Sequence, residues 1–258
     1  MAKGNIQNCL DVTLEFEGGW ADHPKDPGGA TMKGVTLTTF RRYVRGATKT
    51  DLRNISDEML QKIYRAGYWD KLRCDELPVG VDLVAFDGGV NSGPGRSGKW
   101  LQGAVGARKD GIVGDKTLAR VLTQDPATVV KAVCAKRLGF VQSLRTWSTF
   151  GRGWSRRIAK VQAKGLAMVL SAQMAAEEVR AALVVEAHEQ ERAARSKMKI
   201  TASAGAAGAG GAGVELAGGV DMWVAMTFLG AAVAASVVAY SRARIHRRMA
   251  DAYRSEAA

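Results

Sequence analysis

Three residues in the N-terminal part of the chain, Glu17, Asp26 and Thr31, have side chains that could catalyse the hydrolysis of a polymer. Glu17 directly precedes Gly18-Gly19, and two glycines leave room for a bulky substrate beside the carboxyl group. A carboxylic acid can protonate a leaving oxygen, while a second carboxylate and a hydroxyl hold and polarise a water. Asp26 and Thr31 follow on the next loop and can fold back towards Glu17. The residues alone therefore predict acid-assisted hydrolysis.

The elements that must position these residues are predicted to be helices. Apolar residues recur at helical spacing over residues 5–17, and the glycines that follow are typical of a helix end. Ser56 is suited to cap a helix that continues to about Arg65. Further helices are expected at 36–44, 98–105, 116–122 and 126–141, and residues 79–90 form an apolar segment that ends in a turn at 91–95. Since no run of alternating strand residues is present, the globular part is predicted to be mainly α.

Residues 15–36, EFEGGWADHPKDPGGATMKGVT, closely resemble the signature of glycoside hydrolase family 108. The pattern is Glu-Gly-Gly-aromatic, then Asp-Pro-Gly-Gly-x-Thr, then Gly-Val/Ile-Thr, and all three parts are present. The resemblance implies a lysozyme-like helical fold and an N-acetylmuramidase that cleaves the β-1,4 bond between N-acetylmuramic acid and N-acetylglucosamine. It also implies Glu17 as the catalytic acid and no cofactor or metal.

The order Glu17, Asp26, Thr31 is also similar to the catalytic trio of phage lysozymes. The step from Asp26 to Thr31 is one residue shorter here, so Thr36 is an alternative to Thr31 as the assisting hydroxyl. The structural interpretations remain open: Asp26 can be a turn residue, Thr31 can be a cap, and Trp20 can belong to the core or stack on a sugar. The expected substrate-binding residues are Trp20, Thr36 and Asn91, although Asn91 could instead shape a turn.

A second segment supports the same interpretation. Residues 85–94, AFDGGVNSGP, resemble the start of the peptidoglycan-binding partner domain found with this family, and residues 100–102 and 110–118 continue the resemblance. The similarity covers roughly residues 8–170. Peptidoglycan is therefore the expected substrate and partner.

Charge and cysteine content restrict the partners further. The formal net charge of +12 favours polyanionic partners, but no basic helix or aromatic–basic strand indicates a nucleic acid. The three cysteines, Cys9, Cys74 and Cys134, have neither the spacing of a zinc site nor the even number of a disulfide framework, so they are predicted to be buried or free thiols.

The C-terminal part is predicted to reach a membrane. Residues 222–240, MWVAMTFLGAAVAASVVAY, are 19 residues without a charge, and arginines follow directly. This pattern is typical of a transmembrane helix whose C-terminal side stays in the cytoplasm. The expected location is the inner membrane, with one C-terminal span and the enzyme region acting in the periplasm. The first residues lack the apolar stretch of a signal peptide, so export would need another route.

The sequence thus predicts a lysozyme-like helical region followed by a helical spacer, a Gly/Ala linker and one transmembrane helix. The predicted divisions are a catalytic region at 1–75, a peptidoglycan-binding region at 76–170, a charged helix at 171–200, a linker at 201–220, a transmembrane helix at 221–241 and a basic tail at 242–258. The expected role is host cell lysis by a phage or phage-derived enzyme. Two alternatives stay open: a non-catalytic wall-binding protein, and a membrane-lesion protein that carries the enzyme region as cargo. The oligomeric state is left open.

Overall fold

The chain forms two compact units, Met1–Met174 and Ala175–Ala258. A computed structural model describes residues 2–23, 29–211 and 222–258, and their side chains except at 200–211 and 222–233. The described chain is mainly helical, which confirms the predicted fold class at that level. The predicted regions 1–75 and 76–170 both lie within the first unit.

The first unit is built from helices packed around one buried helix, together with a two-stranded sheet. Its helices are α1 (Ile6–Leu14), α2 (Leu37–Phe40), α3 (Lys49–Arg53), α4 (Asp57–Tyr64), α5 (Val81–Ser92), α6 (Pro94–Ala104), α7 (Asp115–Leu122), α8 (Pro126–Gln142) and α9 (Trp147–Ser171). Its strands are β1 (Thr31–Met32) and β2 (Val35–Thr36), and short π and 3-10 turns occupy residues 65–76 between α4 and α5.

Helix α5 is the centre of the first unit. Its first nine residues, 81–89, are all buried, and it packs against α1, α6, α8 and α9. A helix that is apolar on all sides is typical of a buried position, because no face of it is suited to water. Two carboxylates, Asp82 and Asp87, are nevertheless completely buried on this helix. Asp82 accepts hydrogen bonds from the backbone N–H groups of Gly80 and Leu83 and from the Asn5 amide.

The ends of several helices follow the local signals of the sequence. The Ser56 hydroxyl accepts a hydrogen bond from the backbone N–H of Met59, so the predicted cap is confirmed. The prediction that α1 continues to residue 17 is wrong, since the helix ends at Leu14 and i to i+3 bonds replace its regular pattern. The backbone N–H of Phe16 donates to Thr13 and that of Glu17 to Leu14. The carboxyl group of Glu17 therefore projects from a turn.

The two strands were not predicted, because each is only two residues long and no alternation can be recognised over that length. They pair in an antiparallel hairpin in which Thr31 lies opposite Thr36. Lys33 and Gly34 form the connecting turn, with φ angles of 47° and 75°. Positive φ at both positions is typical of a type I′ turn, whose twist matches that of the two strands.

All three cysteines are buried free thiols, as predicted. Burial raises the pKa of Cys134 to about 12 and that of Cys74 well above its usual range. Neutral thiols of this kind contribute to packing and react poorly with oxidants or metals.

The second unit contains two long helices, α10 (Ala176–Gly211) and α11 (Met222–Ala257). They pack in antiparallel directions, since Arg254 pairs with Glu191 while Arg247 contacts Met198. Small and apolar side chains fill the seam, and they include Leu183, Ala187, Ala243, Ala250 and Tyr253.

One prediction for the second unit needs correction, and one gains detail. The Gly/Ala segment 201–220 was expected to be a linker, but residues 201–211 continue α10, because alanine-rich chain favours the helix. Residues 212–221 lie outside the described part. The basic tail at 242–258 is helical as far as Ala257, since its apolar residues pack against α10.

The predicted membrane span at 222–240 lies mostly outside the residues whose side chains are described. Residues 222–240 are helical in α11, but side chains are described only from residue 234. In the described part of the chain, no helix is long and apolar enough to cross a membrane.

Replacement of glycine by alanine is expected to have opposite effects on stability at Gly80 and at Gly139. Gly80 has a φ of +86°, and a Cβ there would lie 2.2 Å from the Gly165 carbonyl oxygen, so Gly80→Ala should push α5 away from α9. Gly139 lies inside α8 with open space around it, so Gly139→Ala should reduce the freedom of the unfolded chain without a clash.

We expect Gly80→Ala to lower the free energy of unfolding by more than ~2 kcal/mol and Gly139→Ala to raise it by ~0.5–1 kcal/mol. Urea denaturation followed by circular dichroism measures both. Equal effects of the two substitutions would contradict the close approach of α5 and α9.

Candidate active site

Glu17 lies at the surface of the first unit, with its carboxylate partly open to solvent. The Glu17 side chain is 21% exposed, and its Oε1 accepts a hydrogen bond of 2.8 Å from Nη1 of Arg157. Arg157 itself is on α9, 140 residues further along the chain. Its guanidinium carbon also lies 5.1 Å from the centre of the Phe16 ring, so the residue before Glu17 supports the arginine. The carboxylate is thus held from one side and open on another.

The β-hairpin closes the second side of the carboxylate. A Cβ on Gly34 would lie 3.0 Å from Oε2 of Glu17 and 2.6 Å from the Tyr64 hydroxyl oxygen, so only glycine allows this approach. The Tyr64 hydroxyl donates a 2.8 Å hydrogen bond to the Lys33 carbonyl oxygen and thereby fixes the turn. The Gly-Val-Thr part of the signature therefore has a structural reason: its glycine brings the hairpin against Glu17.

Asp87 joins the site to the core. Its carboxylate is completely buried and accepts bonds from Arg157, at 2.7 Å from Nη2 and 3.0 Å from Nε, and from Nη1 of Arg137 at 2.5 Å. Burial alone would raise the pKa of Asp87, but the two guanidinium groups outweigh it and hold the pKa below its usual range. With Glu17, the four side chains form a chain of alternating charge whose formal sum is zero.

Asn91 extends the same network. It lies one turn after Asp87 on α5, and its Oδ1 accepts a 3.1 Å hydrogen bond from Nη2 of Arg137. The predicted substrate-binding residue is therefore joined to Glu17 through Arg137, Asp87 and Arg157. Its carbonyl oxygen is engaged by the protein, so Asn91 is placed to orient Arg137.

A cleft of about 330 Å³ begins where Gly34 and Tyr64 approach Glu17. Its polar lining includes Arg42, Tyr43, Tyr68 and Lys71. Burial raises the pKa of the Tyr64 and Tyr68 phenols, and the negative charge of Glu17 raises both further. The two phenols therefore stay neutral near pH 7. The Tyr64 proton is donated to Lys33, so Tyr68 is the phenol that can donate a hydrogen bond to a polar ligand.

The other predicted residues lie around the hairpin. Thr31 pairs with Ala21 through two backbone hydrogen bonds, and its hydroxyl has no partner in the described part of the chain. The Thr36 hydroxyl caps α2 by accepting from the Thr39 backbone N–H at 3.1 Å. Trp20 is half-buried, with the Arg53 guanidinium 5.7 Å from its ring centre. Asp26 falls on residues 24–28, outside the described residues.

The sequence did not reveal Arg157, Arg137 or Tyr64 as parts of the site. All three lie in helices, and no local motif in the sequence marks them as functional. The one signal is that Arg157 stands next to Ile158 in a buried stretch of α9, which would require a partner for its charge.

No metal site accompanies these groups: among the described residues, no three histidine, cysteine, aspartate or glutamate side chains are grouped to hold an ion.

Comparison with known proteins identifies the family. A sequence model described as Glycosyl hydrolase 108 matches residues 10–93, a range that contains Glu17, the hairpin and Asp87. The solved structure of Brucella abortus SagA is 39% identical, with a TM-score of 0.57, over 64% of this chain and 96% of that one. The chain belongs to the glycosyl hydrolase 108 family. It is therefore a glycoside hydrolase, and peptidoglycan is the substrate class consistent with that family. None of the curated proteins matches the chain.

The family match also bears on the segment 85–94. The predicted resemblance assigned it to a partner domain, whereas the matched range continues to residue 93 and so includes nearly all of it. Helix α5, with Asp87, is thus inside the glycoside hydrolase 108 match.

Asp87→Asn should destabilise the first unit because it leaves two buried guanidinium groups without their shared counter-ion. Loss of one partner from such a buried pair costs about 3–5 kcal/mol. Since the pKa of Asp87 is lowered by folding, the stability it contributes is present above its unfolded pKa of about 3.9 and is lost as pH falls through the folded pKa.

The difference in free energy of unfolding between wild type and Asp87→Asn should therefore be largest near pH 6 and shrink under acid conditions. Urea titrations at several pH values measure it. Asp57→Asn, which changes an exposed carboxylate paired with Lys33, is the matched control and should change stability by less than ~1 kcal/mol. A pH-independent difference would show that Asp87 is not charged in the fold.

Proposed function

We propose that this glycoside hydrolase is an N-acetylmuramidase in which Glu17 protonates the leaving oxygen of the β-1,4 bond between N-acetylmuramic acid and N-acetylglucosamine. The observation that carries the proposal is the setting of Glu17. Its carboxyl group lies against Gly34, which lines the cleft, accepts a hydrogen bond from Arg157, and stays partly open to solvent. A general acid needs such a position, because it must reach the glycosidic oxygen without changing its own conformation.

The attacking water is assigned to Asp26 and Thr31. The hydroxyl of Thr36 is occupied as a helix cap, whereas that of Thr31 has no partner in the described part of the chain, which favours Thr31 as the assisting hydroxyl. The role of Asp26 rests on its place in the family signature. A carboxylate and a hydroxyl together can orient a water and accept its proton as the bond breaks.

Trp20 and Asn91 take different parts in the proposal. Trp20 follows Gly18-Gly19 and is only half-buried, so one face of its ring can contact a sugar. Asn91 acts indirectly, since its carbonyl oxygen holds Arg137 rather than facing the cleft.

The later part of the first unit is proposed to bind the anionic wall, as the resemblance of 76–170 implies. A groove of about 640 Å³ supports this, because Arg108, Lys116 and Arg120 line it without any carboxylate. Peptide carboxylates of peptidoglycan are complementary to such a groove.

Substitution of the acid tests the assignment. Glu17→Gln keeps the size of the side chain and its bond to Arg157 through the amide oxygen, but it cannot supply a proton. We expect the rate of peptidoglycan hydrolysis to fall by about 10²–10⁴-fold, measured by release of reducing sugars from purified peptidoglycan.

The control is Glu15→Gln, which removes an exposed carboxylate paired with Lys160 and should retain nearly full activity. Equal hydrolysis by wild type and Glu17→Gln would sink the acid assignment. Binding of peptidoglycan without hydrolysis by any form would favour the alternative, a wall-binding protein.

We also propose a role in host cell lysis from the inner membrane. The proposal is based on the uncharged segment 222–240 and the arginines that follow it. In the described part of α11, Val237, Val238 and Tyr240 are about half or more exposed, which is compatible with an apolar environment.

We expect the full chain to sediment with membranes and a chain that ends at residue 200 to stay in the supernatant after cell fractionation. Protease accessibility in spheroplasts then reports on which side the enzyme region lies. If both chains remain in the supernatant, the membrane location is wrong. If the shorter chain lyses cells as fast as the full chain, residues 222–240 do not form the membrane lesion.

A further inference from the structure

Three aromatic side chains form a continuous stripe on the N-terminal half of α9. Trp147, Phe150 and Trp154 are spaced at i, i+3 and i+7, so they share one face of the helix. The ring centres of Phe150 and Trp154 are 5.6 Å apart, and those of Trp147 and Trp154 are 6.5 Å apart. Phe150 is 53% exposed, while both tryptophans are half-buried.

A glycine fixes the orientation of the first ring. A Cβ on Gly151 would lie 2.6–2.7 Å from three carbon atoms of the Trp147 indole, so the ring lies flat against the backbone at Gly151. One broad face of Trp147 is therefore packed on the helix, and the half-buried ring is held in a fixed orientation. Glycine in a helix interior lowers stability by about 0.5–1 kcal/mol relative to alanine. The close packing of the Trp147 ring explains why glycine is present at position 151.

The stripe leads to the candidate active site. Arg157 follows Phe150 by seven residues, two turns along the same face, and it is the residue that holds Glu17. Phe150 and Arg157 are about 10 Å apart along the helix axis. A chain of sugars that extends from the reacting bond can span this distance. The helix that carries the aromatic stripe thus also contacts Glu17, through Arg157.

Charged residues next to the stripe complete its chemical character. Arg152 and Arg156 are exposed on the same half of α9, and neither has an ion-pair partner among the residues that the structure describes. Peptidoglycan offers flat sugar faces for the rings and peptide carboxylates for the guanidinium groups. A neutral polysaccharide offers only the first.

We propose that Trp147, Phe150 and Trp154 form a glycan-binding platform that holds the peptidoglycan strand on the side of Glu17 bordered by α9. The proposal rests on the proposed function for its substrate. Stacking on a ring contributes to binding of the ground state and transition state alike, so the platform should lower KM and leave kcat unchanged. It acts on a long strand, because a short substrate cannot reach from Glu17 to Phe150.

Co-sedimentation with purified, insoluble peptidoglycan tests the platform. All proteins carry Glu17→Gln, so that the polymer stays intact during the measurement. Phe150→Ala should weaken binding about fivefold and Phe150→Leu nearly as much, because leucine keeps an apolar side chain without a flat ring. Phe150→Tyr should bind like the parent protein. The matched control is Met174→Ala, which removes an apolar side chain that is 44% exposed at the end of the first unit.

The possible outcomes separate the two proposals. Weaker binding by the alanine and leucine variants, with unchanged circular dichroism and melting temperature, supports the platform. Equal binding by all variants, or no binding by the parent protein, overturns it. So does a loss by Phe150→Ala on phosphatidylglycerol vesicles but not on peptidoglycan, which would show a lipid-binding face. If the enzyme without the Glu17 change fails to hydrolyse peptidoglycan while binding still depends on Phe150, the muramidase assignment falls and the platform stands.

Discussion

The buried carboxylate of Asp87 is the constraint on which the first unit depends. A charge in the middle of a core helix is unfavourable unless it is paired and fully hydrogen-bonded, and Arg137 and Arg157 meet that condition from α8 and α9. The three helices α5, α8 and α9 must therefore dock in one relative position. Apolar packing alone would tolerate small shifts between them, whereas an ion network of this geometry does not.

Arg157 also binds the carboxylate of Glu17. Arg157 gives Nε and Nη2 to Asp87 and Nη1 to Glu17, so a single guanidinium connects the interior to the surface carboxylate. The fork geometry of arginine makes this possible, because its donors point in fixed directions within one plane. Lysine at this position would keep the charge and lose the connection.

Part of this arrangement could be predicted from the sequence, and the reason differs from residue to residue. Glu17 was recognisable because the family signature surrounds it, and Ser56 because a cap acts within one turn of chain. The hairpin at 31–36 escaped prediction because its pairing is two residues long and depends on Tyr64 and Glu17 packing against Gly34. Arg157 escaped because its partners are distant in sequence. A short sequence pattern indicates interactions within one or two turns of chain, such as the Ser56 cap. The ion network forms only when distant helices pack together.

The long separation between Glu17 and Arg157 has a consequence for synthesis of the protein. The two residues are 140 positions apart, so a growing chain contains Glu17 long before it contains the arginine that binds its carboxylate. Contacts between distant segments form late, because the intervening chain must first be ordered. A nascent or truncated fragment that lacks α9 therefore has the family signature without an assembled site. The ion network that holds Glu17 is complete only when α9 is part of the chain.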